Sequence, residues 1–213
     1  MNLQGLNQII ESPTGKATQS FLEKITGSLP DLLYNSTVAI NFRLRALTNQ
    51  IDALEKVRVI CEAKKINIRQ VKLNVLLPYL EGVAVEEEPE LQNLWSKLMV
   101  NYLNADKVMT SHVYPEILKQ LSTQDIRILN KAAEEGKVLT GILSSIQGET
   151  ITEYTIANLD RLRLVVKDAP FDSGPTYIFH QPNTIEIRND ITYNLTPFGF
   201  NFLQAIGYEP PIH

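Results

Sequence analysis

The chain has 213 residues, 44% of them hydrophobic and 21% charged, with a formal net charge of −4. That length suits one large domain or two small ones with a real core, and the acidic balance argues against a general polyanion binder. A single cysteine, Cys61, excludes an internal disulfide and a multi-cysteine zinc site, and no run of eighteen apolar residues exists to span a membrane.

Residues 1–15 are expected to form a flexible N-terminal arm. The start, MNLQGLNQIIESPTGK, has no basic leading segment and no long apolar core. No secretory signal is therefore expected, and the chain is expected in the cytoplasm. Lys16 to Ile25 reads as a short helix ended by Gly27 and Pro30. From Asp31, a plausible N-cap, the spacing predicts a long helix. Its stripe is Ile40, Leu44, Leu47, Ile51 and Leu54, extended by Val57 and Cys61. Lys64-Lys65-Ile66-Asn67 ends it. Ile68 to Leu80 reads as the next helix, with Leu73, Leu76, Leu77 and Leu80 on one side and a kink at Pro78.

The acidic corner Glu86-Glu87-Glu88-Pro89-Glu90 then opens a helix. Carboxylates suit its positive end, and Pro89 suits its first position. Leu91, Leu94, Trp95, Leu98, Tyr102 and Leu103 follow at helical spacing. Asn104 to Ser111 is the best joint. Pro115 to Leu121 reads as a short helix. Ser122 to Asp125 resembles a capping box with aspartate in the acidic position, and Ile126 to Glu135 is the helix behind it.

Past Gly136 the pattern changes. Leu139 to Ile146 and Thr152 to Leu162 read as helices, and Leu164 to Val166 as a strand. Tyr177–Phe179 and Ile185–Ile187 flank Pro182 and Asn183 as a hairpin. Thr192 to Leu195 is a further strand. Thr196 caps a last helix with Pro197 at its start and Gly207 past its end. The expected fold is mainly α: a helical bundle over residues 16–110, then a winged-helix-like α+β unit over residues 111–213.

The run LLPYLEGVAVEEEPELQNLWSKLMVNYLN, followed by HVYPEILKQLSTQDIRIL, resembles the Abi-alpha family of bacterial abortive-infection proteins. The residues that carry the likeness are Leu91, Leu94, Trp95, Leu98, Pro115, Glu116, Ile117, Leu118, Leu121, Ser122 and Asp125. Asn158-Leu159-Asp160-Arg161-Leu162 and Leu195-Thr196-Pro197-Phe198-Gly199, with Phe202 and Leu203, resemble two further family segments. Arg163 stands where the family often has glycine. The likeness covers nearly the whole chain and is strongest over residues 73–129. It implies a role in bacterial defence against phage and carries no catalytic residues over.

The residues themselves offer few sites. His112, His180 and His213 are far apart, and none has a partner at metal-ligand spacing. Cys61 reads as a small buried apolar residue on the long helix. Thr14-Gly15-Lys16-Ala17-Thr18 imitates the end of a phosphate loop, but Ile10 replaces the first glycine and Ala17 the hydroxyl that would bind magnesium. No catalytic, cofactor-binding or metal-binding residues are assigned, and no enzyme activity is expected.

Two surfaces remain. Glu86, Glu87, Glu88 and Glu90 form an acidic patch. Residues 43–72, including Lys64 and Lys65, carry eight basic and three acidic side chains that can meet it within the fold or across a dimer. The candidate recognition helix, Thr152–Arg163, presents Thr155, Asn158, Arg161 and Arg163, residue types that contact phosphates or bases. Glu153 and Asp160 cancel its arginines, and residues 111–213 carry eight basic against twelve acidic side chains. Affinity for DNA comes largely from neutralising phosphates, so this charge disfavours nucleic acid. The expectation is a non-enzymatic phage-defence protein acting through protein contacts, with an unidentified protein partner or a second copy. The alternative is a winged-helix DNA-binding regulator.

Overall fold

The computed structural model describes residues 11–26, 40–109, 111–135, 137–140, 145–146, 149–150, 153–168, 176–181, 184–188 and 191–209. They fall into two compact units divided between Gln120 and Leu121, with Ala205–Gly207 counted in the first. The division lies ten residues beyond the joint read from the sequence. The reason is the short helix at Tyr114–Leu118, which packs on the bundle.

The first unit is helical. It comprises α1 (Pro13–Thr26), α2 (Ile40–Ala63), α3 (Leu73–Val85), α4 (Pro89–Leu103) and α5 (Tyr114–Leu118). The phosphate-loop mimic lies inside α1, so Gly15 and Lys16 form helix, not a loop. The predicted start of α2 at Asp31 lies outside the described residues. Leu47, Ile51, Leu54, Val57 and Cys61 are buried, as the stripe requires.

Two side chains of α2 reach carbonyls of α3. Asn49 Nδ2 donates to Ala84 O at 3.1 Å, and Gln50 Nε2 donates to Leu80 O at 3.0 Å. Ala84 O is one of the last four carbonyls of α3, which lack a partner within the helix.

The expected helix at residues 68–80 is corrected. Residues 68–72 are not helical, Ile68 bridges to Asn104, and α3 starts at Leu73. Arg69 N donates to Leu103 O, Arg69 Nε to Tyr102 O, and Val71 N to Ile25 O. Of these donors, Val71 N is the one that a helix starting at Ile68 would turn onto Asn67 O; Ile25 takes it instead, and Asn67 O accepts from Ala105 N. Pro78 sits inside α3. The carbonyl it leaves without a donor belongs to Asn74, which is exposed.

α3 and α4 meet closely. Trp95 and Tyr79 are fully buried and pack edge to face, with ring centroids 5.8 Å apart. Gly82 permits this approach, because a β-carbon there would lie 2.4 Å from the Trp95 ring. Leu91, Leu98, Tyr102 and Leu103 are also buried, while Leu94 is half-buried. No helix among the described residues is long and apolar enough to cross a membrane.

The second unit mixes helix and sheet. Its elements are α6 (Thr123–Glu135), β1 (Lys137–Thr140), β2 (Ser145–Ile146), β3 (Glu149–Thr150), α7 (Glu153–Arg161), β4 (Val165–Asp168), β5 (Thr176–Gln181), β6 (Thr184–Arg188), β7 (Ile191–Leu195) and α8 (Pro197–Ala205). The expected capping box forms at the start of α6. Ser122 N donates to Asp125 Oδ2 at 2.7 Å, and Asp125 N donates to Ser122 Oγ at 3.2 Å.

A helix over residues 139–146 is not what forms. Residues 137–140 are strand β1, paired antiparallel with β7 from Lys137 opposite Asn194 to Thr140 opposite Ile191. Residues 145–146 are strand β2. Leu139 is opposite Thr192, so ladder pairing overrides the local helical pattern. β7 is the centre of a three-stranded sheet ordered β1-β7-β4. The hairpin read at Pro182 and Asn183 is β5 with β6, and Phe179 lies opposite Ile185.

Three helix ends share one geometry. Past α2, Lys65 N donates to Glu62 O and Ile66 N to Cys61 O. Past α7, Arg163 N donates to Asp160 O and Leu164 N to Leu159 O. Past α8, Tyr208 N donates to Leu203 O. The residue at the bend has positive φ in each case: Lys65 at 51°, Arg163 at 60° and Gly207 at 91°. This left-handed cap supplies donors to orphan carbonyls and favours glycine. Only the third carries it.

Candidate functional site

An exposed polar face lies on α7. Ile156 and Leu159 are buried on its inner side, beside buried Leu164 and Val165. Its outer side presents Tyr154, 88% exposed, with exposed Ala157 and Arg161 and half-buried Asn158. Tyr154, Asn158 and Arg161 stand at i, i+4 and i+7, so they form one ridge. Arg161 Nη2 donates to Asn158 Oδ1 at 2.7 Å, which fixes the guanidinium against the helix. Aromatic ring, amide and guanidinium thus stand together on one side of the helix.

Of the four residues proposed to contact nucleic acid, Asn158 and Arg161 share this ridge. Thr155 is half-buried and points about a quarter-turn away at the helical rotation per residue. Arg163 is exposed but sits beyond the helix, in the left-handed turn. Tyr154 was missed. Its signal was present, since it precedes Asn158 by four positions on the side opposite Ile156 and Leu159.

The basic segment meets the acidic corner at one pair among the described residues. Arg45 Nη2 contacts Glu87 Oε1 at 2.9 Å, with both side chains more than 60% exposed. Such a pair contributes little, roughly 0–1 kcal/mol. Glu86 Oε1 accepts from Glu88 N at 3.0 Å, and Gln92 Nε2 donates to Glu86 O at 3.1 Å. Glu88 precedes Pro89 as the N-cap of α4, and Glu90 lies in its first turn. Lys64 and Lys65 lie past the far end of α2, about 28 Å along the axis from Arg45 at 1.5 Å per residue. The predicted set is thus split between the two ends of α2.

The other candidate residues do not come together among the described residues. Cys61 is buried, and burial pushes its thiol pKa up, opposite to nucleophile activation. His112 is exposed, and His180 lies in β5. His213 is outside the described residues. No group of three or more His, Cys, Asp or Glu that could hold a metal occurs among the described residues.

Two depressions flank Lys56 in the first unit. One, of ≈ 300 Å³, is lined by Asp52, Ala53, Val83 and Gln92, and the other, of ≈ 500 Å³, by Val59, Ile60, Asn93, Ser96 and Lys97. Lys56 Nζ donates to Gln92 Oε1 at 3.1 Å. Glu55, which borders both, is bound by Arg58 through two hydrogen bonds of 2.8 and 2.6 Å. The bond from Arg58 holds the Glu55 carboxyl below its ordinary range.

A family model described as abortive infection alpha matches residues 41–206. That span reaches into both units. No curated protein and no solved structure matches the chain.

Proposed function

Because the chain belongs to the abortive infection alpha family, we propose that it serves bacterial phage defence by binding another protein rather than by carrying out a reaction. The observation that supports contact is the α7 ridge. Tyr and Arg are the residue types most enriched where a few side chains dominate binding. Tyr154 projects into solvent at 88% exposure, so its ring is open to a partner. The family residues Leu91, Trp95, Leu98, Ile117, Leu118 and Leu121 are buried, so they support the scaffold and leave recognition to the surface.

We read the second unit as winged-helix-like. What supports it is the sheet order β1-β7-β4, with α7 before β4 and the β5–β6 hairpin between β4 and β7. Here α7 takes the recognition position and meets protein. Nucleic acid is the second reading, favoured by Arg161 and Arg163 and opposed by the net charge of this unit.

The test is phage plating on a host with and without the gene. Reduced plating of at least one phage in a broad panel is the expected result. Unchanged plating across that panel contradicts the defence role. For the second reading, duplex binding that falls with salt and weakens in Arg161→Ala and Arg163→Ala is the required outcome.

A further inference from the structure

We infer that the groove between α2 and α4 binds a small anionic amphiphile, an apolar chain ending in a carboxylate. The inference goes beyond the defence role and does not depend on it, because purified protein tests it.

Two matched ridges form the groove. α2 supplies Lys56, Val59 and Ile60 at i, i+3 and i+4, and α4 supplies Asn93, Ser96 and Lys97 at the same spacing. With Glu55 they line the depression of ≈ 500 Å³. Val59, 49% exposed, and half-buried Ile60 make its apolar wall. Lys56, Asn93 and Lys97 are exposed and make its polar rim. The Ser96 hydroxyl is already used, donating to Gln92 O at 3.0 Å.

The charge left in the groove is positive. Arg58 donates to both oxygens of Glu55, at 2.8 and 2.6 Å, and neutralises the one carboxylate that lines it. Asp52 borders the neighbouring depression, and no ion pair ties it to Lys56. Lys56 Nζ donates to Gln92 Oε1, a neutral acceptor. No hydrogen bond or ion pair occupies the Lys97 ammonium or the Asn93 amide among the described residues. The stem of Lys97 is held, because a β-carbon on Gly207 would lie 2.6 Å from its Cδ.

These groups suit one ligand. Gln92, which positions Lys56, and Lys97 are about 7.5 Å apart along the axis of α4 at 1.5 Å per residue, and Asn93 lies between them. A carboxylate above Asn93 accepts from both ammonium groups and from the amide. Its chain then covers Val59, Ile60 and the lysine stems. The apolar wall separates this ligand from a bare anion. The volume is that of a small-molecule site, whereas a protein segment needs a wider surface. Because the rim is exposed, the carboxylate stays partly hydrated and the affinity is modest.

NMR titration of the isotope-labelled full chain with decanoate, kept below its micelle concentration, tests this. Saturable shifts centred on Lys56, Val59, Ile60, Asn93 and Lys97 are expected, the Asn93 side-chain amide among them. Acetate, the charge alone, and decanol, the chain alone, bind roughly tenfold more weakly or worse. Lys56→Met and Lys97→Met keep an apolar stem, so each leaves the melting point unchanged and weakens decanoate about tenfold. Absence of saturable shifts overturns the inference. So does decanol that binds as tightly as decanoate, or lysine variants that bind decanoate unchanged. Binding to anionic vesicles without binding of free decanoate assigns the groove to a membrane, and self-association abolished by Lys97→Met assigns it to a second copy; either result overturns the inference too.

Discussion

Gly199 lies so close to the carbonyl oxygen of Leu164 that a β-carbon on it would stand 2.1 Å away. Thr196 secures the same place. Its backbone N donates to Leu164 O at 3.0 Å, and its Oγ1 donates to Arg163 O at 2.7 Å. That hydroxyl also accepts from Gly199 N at 2.9 Å, which caps α8. Two distant family segments, around Leu159–Leu164 and Leu195–Gly199, thus form one joint between the turn after α7 and the start of α8.

Substituting Gly199→Ala should therefore be costly. The atom in the way is backbone and cannot swing aside, so overpacking of roughly 1–3 kcal/mol or more is expected. Thr196→Ala should cost about 1 kcal/mol as a lost cap. Urea unfolding measures both. Equal stability of Gly199→Ala and the wild type would show that the joint is looser than described.

Arg163→Gly should move stability the other way. Arg163 holds φ at 60°, a conformation that costs an L-residue roughly 1–2 kcal/mol. Glycine adopts it freely but gains entropy when unfolded, so a net stabilisation of about 0.5–1 kcal/mol is expected. Thermal melting reads this directly. A lower melting point would mean that the Arg163 side chain, rather than its backbone, carries a contact worth more than the strain.

The Glu55–Arg58 pair sets a pH dependence. Hydrogen bonding to Arg58 depresses the folded pKa of Glu55 below its ordinary 4.5. Its contribution is then fully present above that value and is lost as pH falls through the folded value. Melting points of the wild type and Glu55→Gln should differ at pH 7 and converge as the solution is acidified. A gap that stays constant down to strongly acidic pH would contradict this assignment.

Much of the fold was legible because its signals were local. The Ser122–Asp125 box, Pro89 after the acidic corner and Thr196-Pro197 all mark helix starts by short-range chemistry, and each is where the helix begins or just precedes it. Failures came where distant partners decide. Residues 68–72 carry an apolar pattern suited to helix, yet Leu103, Tyr102 and Ile25 claim their donors. Residues 137–140 pair with β7, more than fifty positions away in the chain. At the candidate site, Asn158 and Arg161 were legible as polar residues of α7. Tyr154 carried the same positional signal, four residues before Asn158, but an aromatic residue on an amphipathic helix reads as core, and so it was passed over.

The proposed defence by contact through the α7 ridge is open to a direct test. Its most direct measurement is phage plating on hosts carrying the wild-type gene or a folded Tyr154→Ala/Arg161→Ala variant expressed to the same level. Protection by the wild type and its loss in the variant is the predicted result. Full protection by the variant would contradict the account.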